Sequence, residues 1–306
     1  MSRVSEHTEE IDELPIFWRS APHSGTPTLY LHGAPSSSED WVAPREHHGT
    51  RAWWRRWWRG KRSDDSWVEA PLYETGFLER SGGLAPDLPG FGRSGKPAYL
   101  RYTIEEYAGF IERFLDHIGI ERVNLAMHDW GAVGLAFAQR HPDRIERLVI
   151  INAIPFLPGY RWHQAARIWR TPLLGELAMG STTRPALRWG TRAANAAPLP
   201  ESFIDSVLDH LDEGTRRAIL RLYRSSPPDA LARAGLDLGR VDAPALIVWG
   251  QRDPYIPQRF AGEYARALVN SELVELPDAG HWCWFDRPEV IDRVVEFLTS
   301  DRTPER

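Results

Sequence analysis

Val123-Asn124-Leu125-Ala126-Met127-His128-Asp129-Trp130-Gly131-Ala132 is the stretch that most restricts how this chain can fold. An apolar run ends in an aspartate, and small residues that open a helix follow at once. This is the layout of a nucleophile elbow, a sharp strand-to-helix turn that lifts one side chain above the edge of a sheet. The best-known elbows carry serine at the tip; here the tip is Asp129. A carboxylate that attacks carbon leaves an ester on the protein. The expected chemistry therefore moves from ordinary ester hydrolysis toward opening or displacement at a saturated carbon. The chain contains no Gly-x-Ser-x-Gly, which argues against a serine-type esterase.

The segments around the elbow read as alternating strands and helices. Ile16–Arg19 and Thr28–Leu31 are short strands, the second ending in the turn-forming His32-Gly33-Ala34-Pro35. A short strand at Leu84 runs into the Gly/Pro-rich loop Asp87–Pro97, and Thr103 with Glu106 forms a capping box for a helix reaching Ile118. A helix over Gly131–Gln139, strands over Leu148–Ile151, Ala245–Trp249 and Glu272–Leu276, and a final amphipathic helix over Pro288–Leu298 follow. Residues 1–13 look like a loose acidic lead. Such alternation predicts a mostly parallel sheet covered by helices on both faces. Residues 155–239 break the rhythm: they are rich in Ala, Leu, Arg and Trp and show no convincing strand. They read as an inserted helical cap, leaving 1–154 and 240–306 as the α/β core.

The net charge of −5 argues against nucleic-acid binding. A single cysteine, Cys283, excludes an internal disulfide and a thiolate metal cluster. With an acidic, polar start that is no secretory signal and no apolar run of membrane-spanning length, a cytoplasmic protein is expected. The 14 tryptophans are unevenly spread, and four of them lie in Arg51-Ala52-Trp53-Trp54-Arg55-Arg56-Trp57-Trp58-Arg59-Gly60-Lys61-Arg62, inside an insertion over 43–76. On a helix at ~100° per residue these four would share an arc of about 140°, with the arginines opposite. That pattern fits contact with an anionic membrane surface through 51–62; the plainer reading is a surface insertion with packed Trp and solvated Arg.

An elbow nucleophile needs a base, a group that orients the base, and oxyanion donors. Gly250-Gln251-Arg252-Asp253-Pro254 and Gly280-His281-Trp282 each follow a predicted strand, at the carboxyl ends where ligands bind in open α/β sheets. The order Asp129, Asp253, His281 is that of nucleophile, acid and histidine. Taken singly, Asp253 is also a turn former before Pro254, His281 a loop histidine, and Asp129 a helix cap. Together they need three coincidences at three strand ends. In His32-Gly33-Ala34-Pro35, Gly33 permits close backbone approach and Pro35 sets the turn, so the amides of Ala34 and Trp130 are the expected oxyanion donors. His32 reads as structural rather than as a second base.

These motifs, with Asp87-Leu88-Pro89-Gly90-Phe91-Gly92-Arg93-Ser94, resemble α/β-hydrolase-fold enzymes of the epoxide hydrolase and haloalkane dehalogenase group over nearly the whole chain outside 43–76. The resemblance implies that Asp129 forms an alkyl-enzyme ester, which water activated by His281, oriented by Asp253, then hydrolyses. It also implies that cap tyrosines protonate an epoxide oxygen; Tyr223, in Leu222-Tyr223-Arg224, fits the usual context, and Tyr160 is the second candidate. For halide release the resemblance implies N–H donors: Trp130, an Asn or Glu where this chain has Ala34, or a cap Trp such as Trp162, Trp169 or Trp189. Ala34 and Tyr223 tilt the reading toward epoxide hydrolysis of a small apolar organic substrate, with a dehalogenase-like hydrolase and a non-catalytic ligand-binding member of the fold as alternatives. Met127, two before Asp129 where a small residue is usual, is expected to disturb the turn. Neither a metal-ligand cluster nor a dinucleotide fingerprint occurs, so no cofactor is expected.

Overall fold

A computed structural model describes residues 4–43, 59–61, 67–69 and 76–300. The chain opens with strands β1 (Ser5–Ile11), β2 (Leu14–Ala21) and β3 (Thr28–Leu31). A small antiparallel pair, β4 (Arg59–Lys61) and β5 (Trp67–Glu69), falls within the insertion. Helix α1 (Phe77–Ser81), β6 (Gly83–Pro86), α2 (Ile104–His117), β7 (Val123–Asp129), α3 (Val133–Arg140) and β8 (Ile145–Ala153) follow. Between β8 and the next strand lie six helices: α4 (Gln164–Arg170), α5 (Leu174–Gly180), α6 (Arg184–Thr191), α7 (Glu201–His210), α8 (Glu213–Ser225) and α9 (Pro228–Ala234). The chain closes with β9 (Ala245–Gly250), α10 (Arg259–Ala267), β10 (Ser271–Leu276), α11 (Cys283–Asp286) and α12 (Glu289–Thr299). No described helix is long and apolar enough to cross a membrane.

The main sheet has the order β1-β2-β6-β3-β7-β8-β9-β10. Only β2 runs against its neighbours; the pairings from β6 through β10 are all parallel. The period-two alternation of a strand explains how both faces are covered. Leu29, Leu31, Leu125, Met127, Leu148, Ile150, Ile247 and Trp249 pack with residues of α2, α3 and α10. Tyr30, Ala126, Val149, Ile151, Leu246 and Val248 pack with residues of α1, α11 and α12. Because both faces are dry, the central strands read as continuous apolar runs.

Two expectations are corrected. Residues 5–11 are not a loose lead but a strand, in continuous register with β2 from Ser5↔Ser20 to Ile11↔Leu14. As an edge strand β1 is mostly exposed, so it lacks apolar alternation. The hairpin turns at Asp12 and Glu13, both with positive φ, without the glycine or asparagine that usually marks such turns. His7 stacks on Trp18 at 5.0 Å and its Nε2 lies 2.8 Å from the Ser20 hydroxyl. Of the helix considered for 51–62, residues Arg59–Lys61 instead form strand β4; Arg51–Trp58 and Arg62 lie outside the described residues. A bare antiparallel pair satisfies backbone groups by ladder bonds rather than along a helix.

The elbow depends on glycine where β7 meets β3. A Cβ on Gly131 would stand 2.1 Å from the Leu31 carbonyl oxygen, and one on Gly33 2.5 Å from the Asp129 Cβ. Met127, in contrast, does not disturb the turn: its side chain is fully buried in the layer beneath α2 and α3, where an unbranched thioether adapts. Gly131→Ala is expected to lower unfolding free energy by roughly 2–3 kcal/mol through overpacking against backbone. A chemical denaturation midpoint equal to that of the parent would refute this.

Candidate active site

Asp129 ends β7 with φ 49° and ψ −118°, a conformation L-residues rarely adopt and one held here by surrounding structure. A short 3₁₀ turn, Trp130–Ala132, precedes α3, so the elbow is tighter than a plain helix start. The Ala34 N–H donates to Asp129 Oδ1 at 2.9 Å. His281 Nε2 lies 3.6 Å from Asp129 Oδ2, an ion contact rather than a hydrogen bond. His281 Nδ1 lies 2.7 Å from Asp253 Oδ2. The predicted residues Asp129, Asp253 and His281 thus converge, although they are separated by 124 and 28 positions and come from three strand ends.

Each of the three is fixed by further bonds. Asp253 Oδ1 accepts the backbone N–H groups of Tyr255 (2.7 Å) and Ile256 (3.0 Å). Its Oδ2 also accepts Asn152 Nδ2 at 2.8 Å. Asn152, fully buried with φ 36°, accepts the Gly250 N–H at 2.8 Å as well. The backbone around His281 is held by donation from His128 Nε2 to the His281 carbonyl (3.1 Å) and from the His281 N–H to the Ala194 carbonyl (2.7 Å). Asn195 brackets Trp282, donating to its carbonyl at 2.7 Å and accepting its N–H at 3.1 Å. The stretch between α6 and α7 therefore clamps the histidine loop. A Cβ on Gly280 would stand 2.0 Å from the Ala194 carbonyl oxygen, so only glycine admits that clamp.

Burial pushes the Asp129 carboxyl above its ordinary range, against the pull of His281 and of the Ala34 and Trp130 backbone N–H groups. Burial pulls His281 down, but Asp253, by charge and hydrogen bond, and then Asp129 and Asp40 outweigh it, so the imidazole is raised. His32 is structural: its Nε2 accepts the Leu88 N–H (2.9 Å), which leaves Nδ1 to donate to the Gly33 carbonyl (2.7 Å), and burial lowers its pKa. Asp87, in the Gly-rich loop, accepts the N–H groups of Ser38 (2.8 Å) and Arg93 (2.7 Å) and shapes the loops rather than the site's chemistry.

An aromatic wall faces Asp129. Trp130 stacks on Trp162 at 5.5 Å and meets Tyr223 edge-on at 5.1 Å. Tyr160 contacts Trp162 at 5.1 Å and donates to the Tyr255 carbonyl at 3.3 Å. Tyr160 and Tyr223 are both buried, and burial first and the Asp129 charge second push both phenols well above their ordinary pKa. The buried Trp130 indole N–H lies against the Tyr223 hydroxyl, a contact that works against the rise of that phenol's pKa. Trp162 donates its indole N–H to the Ser226 carbonyl at 2.9 Å, and Trp189 is 73% exposed, away from any buried site. His163 and Tyr255 complete the wall, 5.0 Å apart, and Tyr255 lies 5.1 Å from His281. Burial brings His163 down to about 4. Among the described residues no group of three or more His, Cys, Asp or Glu is placed to hold a metal ion.

Residues 29–294 match the model of the alpha/beta hydrolase family, and the chain belongs to that family. It is 36% identical over 190 residues to haloalkane dehalogenase 1 of Mycobacterium tuberculosis, an alignment covering 57% of this chain and 60% of that protein. The chain thus spans less than two thirds of that relative. It is 30% identical over 248 residues to the cis-3-alkyl-4-alkyloxetan-2-one decarboxylase of Xanthomonas campestris pv. campestris, covering 71% of this chain and 79% of that protein. In fold it is similar to haloalkane dehalogenase DbeA from Bradyrhizobium elkani (TM-score 0.74, 24% identity, covering 97% and 98% of the two chains). It is similar to the epoxide hydrolase CorEH at the same TM-score of 0.74 (20% identity, 98% and 100%).

Asn152, His163, Tyr255 and the Ala194–Asn195 clamp have no local sequence signature; each matters through a partner far away in the chain. Asn152→Ala removes both a donor to Asp253 and the acceptor for the Gly250 N–H. It is expected to cost about 1–3 kcal/mol of stability, the penalty for leaving buried polar groups unpaired. Urea denaturation checks this, and a loss below about 0.5 kcal/mol would show that these bonds contribute little.

Proposed function

We propose that the protein is a hydrolase with Asp129 as its nucleophile and an epoxide as its substrate. The observation that carries this reading is the pairing of a buried elbow carboxylate with two buried tyrosines in the same aromatic wall, Tyr223 against Trp130 at 5.1 Å and Tyr160 against Trp162 at 5.1 Å. Oδ1 of Asp129 is held by the Ala34 amide, so Oδ2 is the oxygen free to attack. It bonds to one ring carbon as the ring C–O bond breaks, and the departing oxygen takes a proton from a tyrosine. Water then gives a proton to His281 and adds to the ester carbonyl carbon, with negative charge building on Oδ1 beside the Ala34 and Trp130 amides. Breaking the bond between the acyl carbon and the alkyl oxygen, with the proton of the newly added hydroxyl passing to that oxygen, releases the diol and restores the Asp129 carboxylate, and the proton on His281 returns to the tyrosine.

Charge bookkeeping favours this order. Once Asp129 is an ester, it no longer raises the tyrosine pKa, so the phenol becomes a better acid as the alkoxide forms. His281 loses one stabilising anion at the same moment, so more of it is neutral when a base is needed. We assign the six helices within 155–239 to a cap over the site, and 1–154 with 240–306 to the core.

A second reading, haloalkane dehalogenation, is favoured by the buried Trp130 N–H next to Asp129 and by the similarity to haloalkane dehalogenases. Against it, Ala34 offers no side-chain donor and the Trp162 N–H is already engaged.

Panels of small apolar epoxides and haloalkanes, assayed for diol and halide, decide between the two. Diol formation is expected, and halide without diol would overturn the epoxide reading. Intact-mass measurement tests the covalent step. His281→Gln is expected to accumulate an adduct of substrate mass and Asp129→Asn to form none; turnover unchanged in either variant would remove these residues from the mechanism. When ester hydrolysis limits turnover, kcat should rise with pH as His281 loses its proton. Its apparent pKa should lie below that of His281 measured by NMR in the free protein, and an equal or higher value would contradict the loss of the Asp129 charge.

A further inference from the structure

Asp40 is a buried carboxyl that the mechanism above does not use. It lies in the short 3₁₀ turn Ser38–Trp41, directly after the His32–Pro35 loop, and is 4% exposed. Ser36 Oγ stands 2.5 Å from Asp40 Oδ2 and 3.2 Å from the Gly33 carbonyl oxygen. That carbonyl also accepts His32 Nδ1 at 2.7 Å. The Gly33 carbonyl and the Ala34 N–H belong to one peptide group, and the Ala34 N–H is the donor to Asp129 Oδ1 at 2.9 Å.

A serine hydroxyl has one proton to donate. If Asp40 is protonated, it donates to Ser36, and Ser36 donates to the Gly33 carbonyl. The peptide is then bonded at both ends, and each bond polarises the next. If Asp40 is ionised, Ser36 must turn its proton to the carboxylate, and the Gly33 carbonyl keeps only His32. The direction of one hydroxyl therefore sets how strongly the Ala34 amide supports Asp129.

We propose that Asp40 is a positioning residue for the nucleophile, acting as a neutral carboxylic acid through Ser36 on the Gly33–Ala34 peptide. Its catalytic consequence rests on the hydrolase reading above; its effect on the Ala34 amide does not. The groups that face Asp40 support the neutral form. Burial raises its pKa first, Ser36 opposes this, Asp129 on the elbow and Glu39 on its own turn raise it, and His281 after β10 lowers it, leaving it at about 8. The nearest cation on β2, Arg19, is already engaged by Glu39 at 3.2 Å and by Glu6 at 3.5 Å. Asp87 is occupied by the Ser38 N–H at 2.8 Å. Above that pH, Asp40 adds negative charge near the oxygen on which the tetrahedral intermediate builds its own.

The test follows the Ala34 amide of the full chain, labelled with ¹⁵N-alanine, by NMR from pH 6 to 9.5. In the parent its shift is expected to move with a titration near pH 8 in addition to the His281 titration. In Asp40→Asn, whose amide donates permanently to Ser36, that second movement should vanish. In Ser36→Ala most of its amplitude should be lost while Asp40 still titrates. An Asp40→Asn curve superimposed on the parent overturns the proposal. So does a Ser36→Ala curve of full amplitude, which would mean that the charge acts through space without the hydroxyl. If Asp40→Asn does not fold, the comparison of parent with Ser36→Ala decides alone. With an active substrate, kcat/KM of the parent should fall to a lower plateau as pH rises through 8, and that of Asp40→Asn should not. Absence of activity on every epoxide and haloalkane would defeat the hydrolase reading and leave the NMR outcome standing.

Discussion

The contact between the end of β3 and the elbow governs everything else in this molecule. Leu31 presents its carbonyl where Gly131 has no side chain, and Gly33 lies against the Cβ of Asp129 where a methyl group would not fit. Two missing side chains let two adjacent parallel strands deliver a carboxylate and a backbone amide to one point. The positive φ of Asp129 is affordable only because β3, β7 and β8 are locked on both faces by apolar layers.

The site is built of anions arranged around one imidazole. Asp253 touches His281, Asp129 stands 3.6 Å away, and Asp40 acts from farther off. Three carboxyl groups sharing a dry region cannot all be charged without opposing one another. The structure distributes the load by giving each a different compensation: backbone amides and Asn152 for Asp253, the Ala34 and Trp130 N–H groups and the imidazole for Asp129, and a single hydroxyl for Asp40. The least compensated of the three is the one expected to stay neutral.

Legibility in the sequence followed the range of the signal. Thr103 and Glu106 form the reciprocal cap that their spacing predicts, and α2 starts at Ile104 and ends one residue before Ile118. Strand β3 spans Thr28–Leu31 as read, because a run buried on both faces leaves a continuous apolar mark. Strand β1 left no such mark, since an edge strand held by backbone pairing and ion pairs need not alternate. Asp129, Asp253 and His281 are legible because the first ends a recognisable strand and the other two lie in the loops that follow one. Asn152 also ends a strand, yet it reads as an ordinary polar residue, and only its 2.8 Å approach to Asp253 across 101 positions gives it meaning.

The clamp between Ala194–Asn195 and the loop of His281 has an evolutionary corollary. The helices from α4 to α9 are tethered at the backbone of His281 as well as at their two ends, through the 2.7 Å bond from the His281 N–H to the Ala194 carbonyl. The 194–195 stretch should diverge slowly among descendants of this sequence, because a change there moves the backbone of His281 and Trp282.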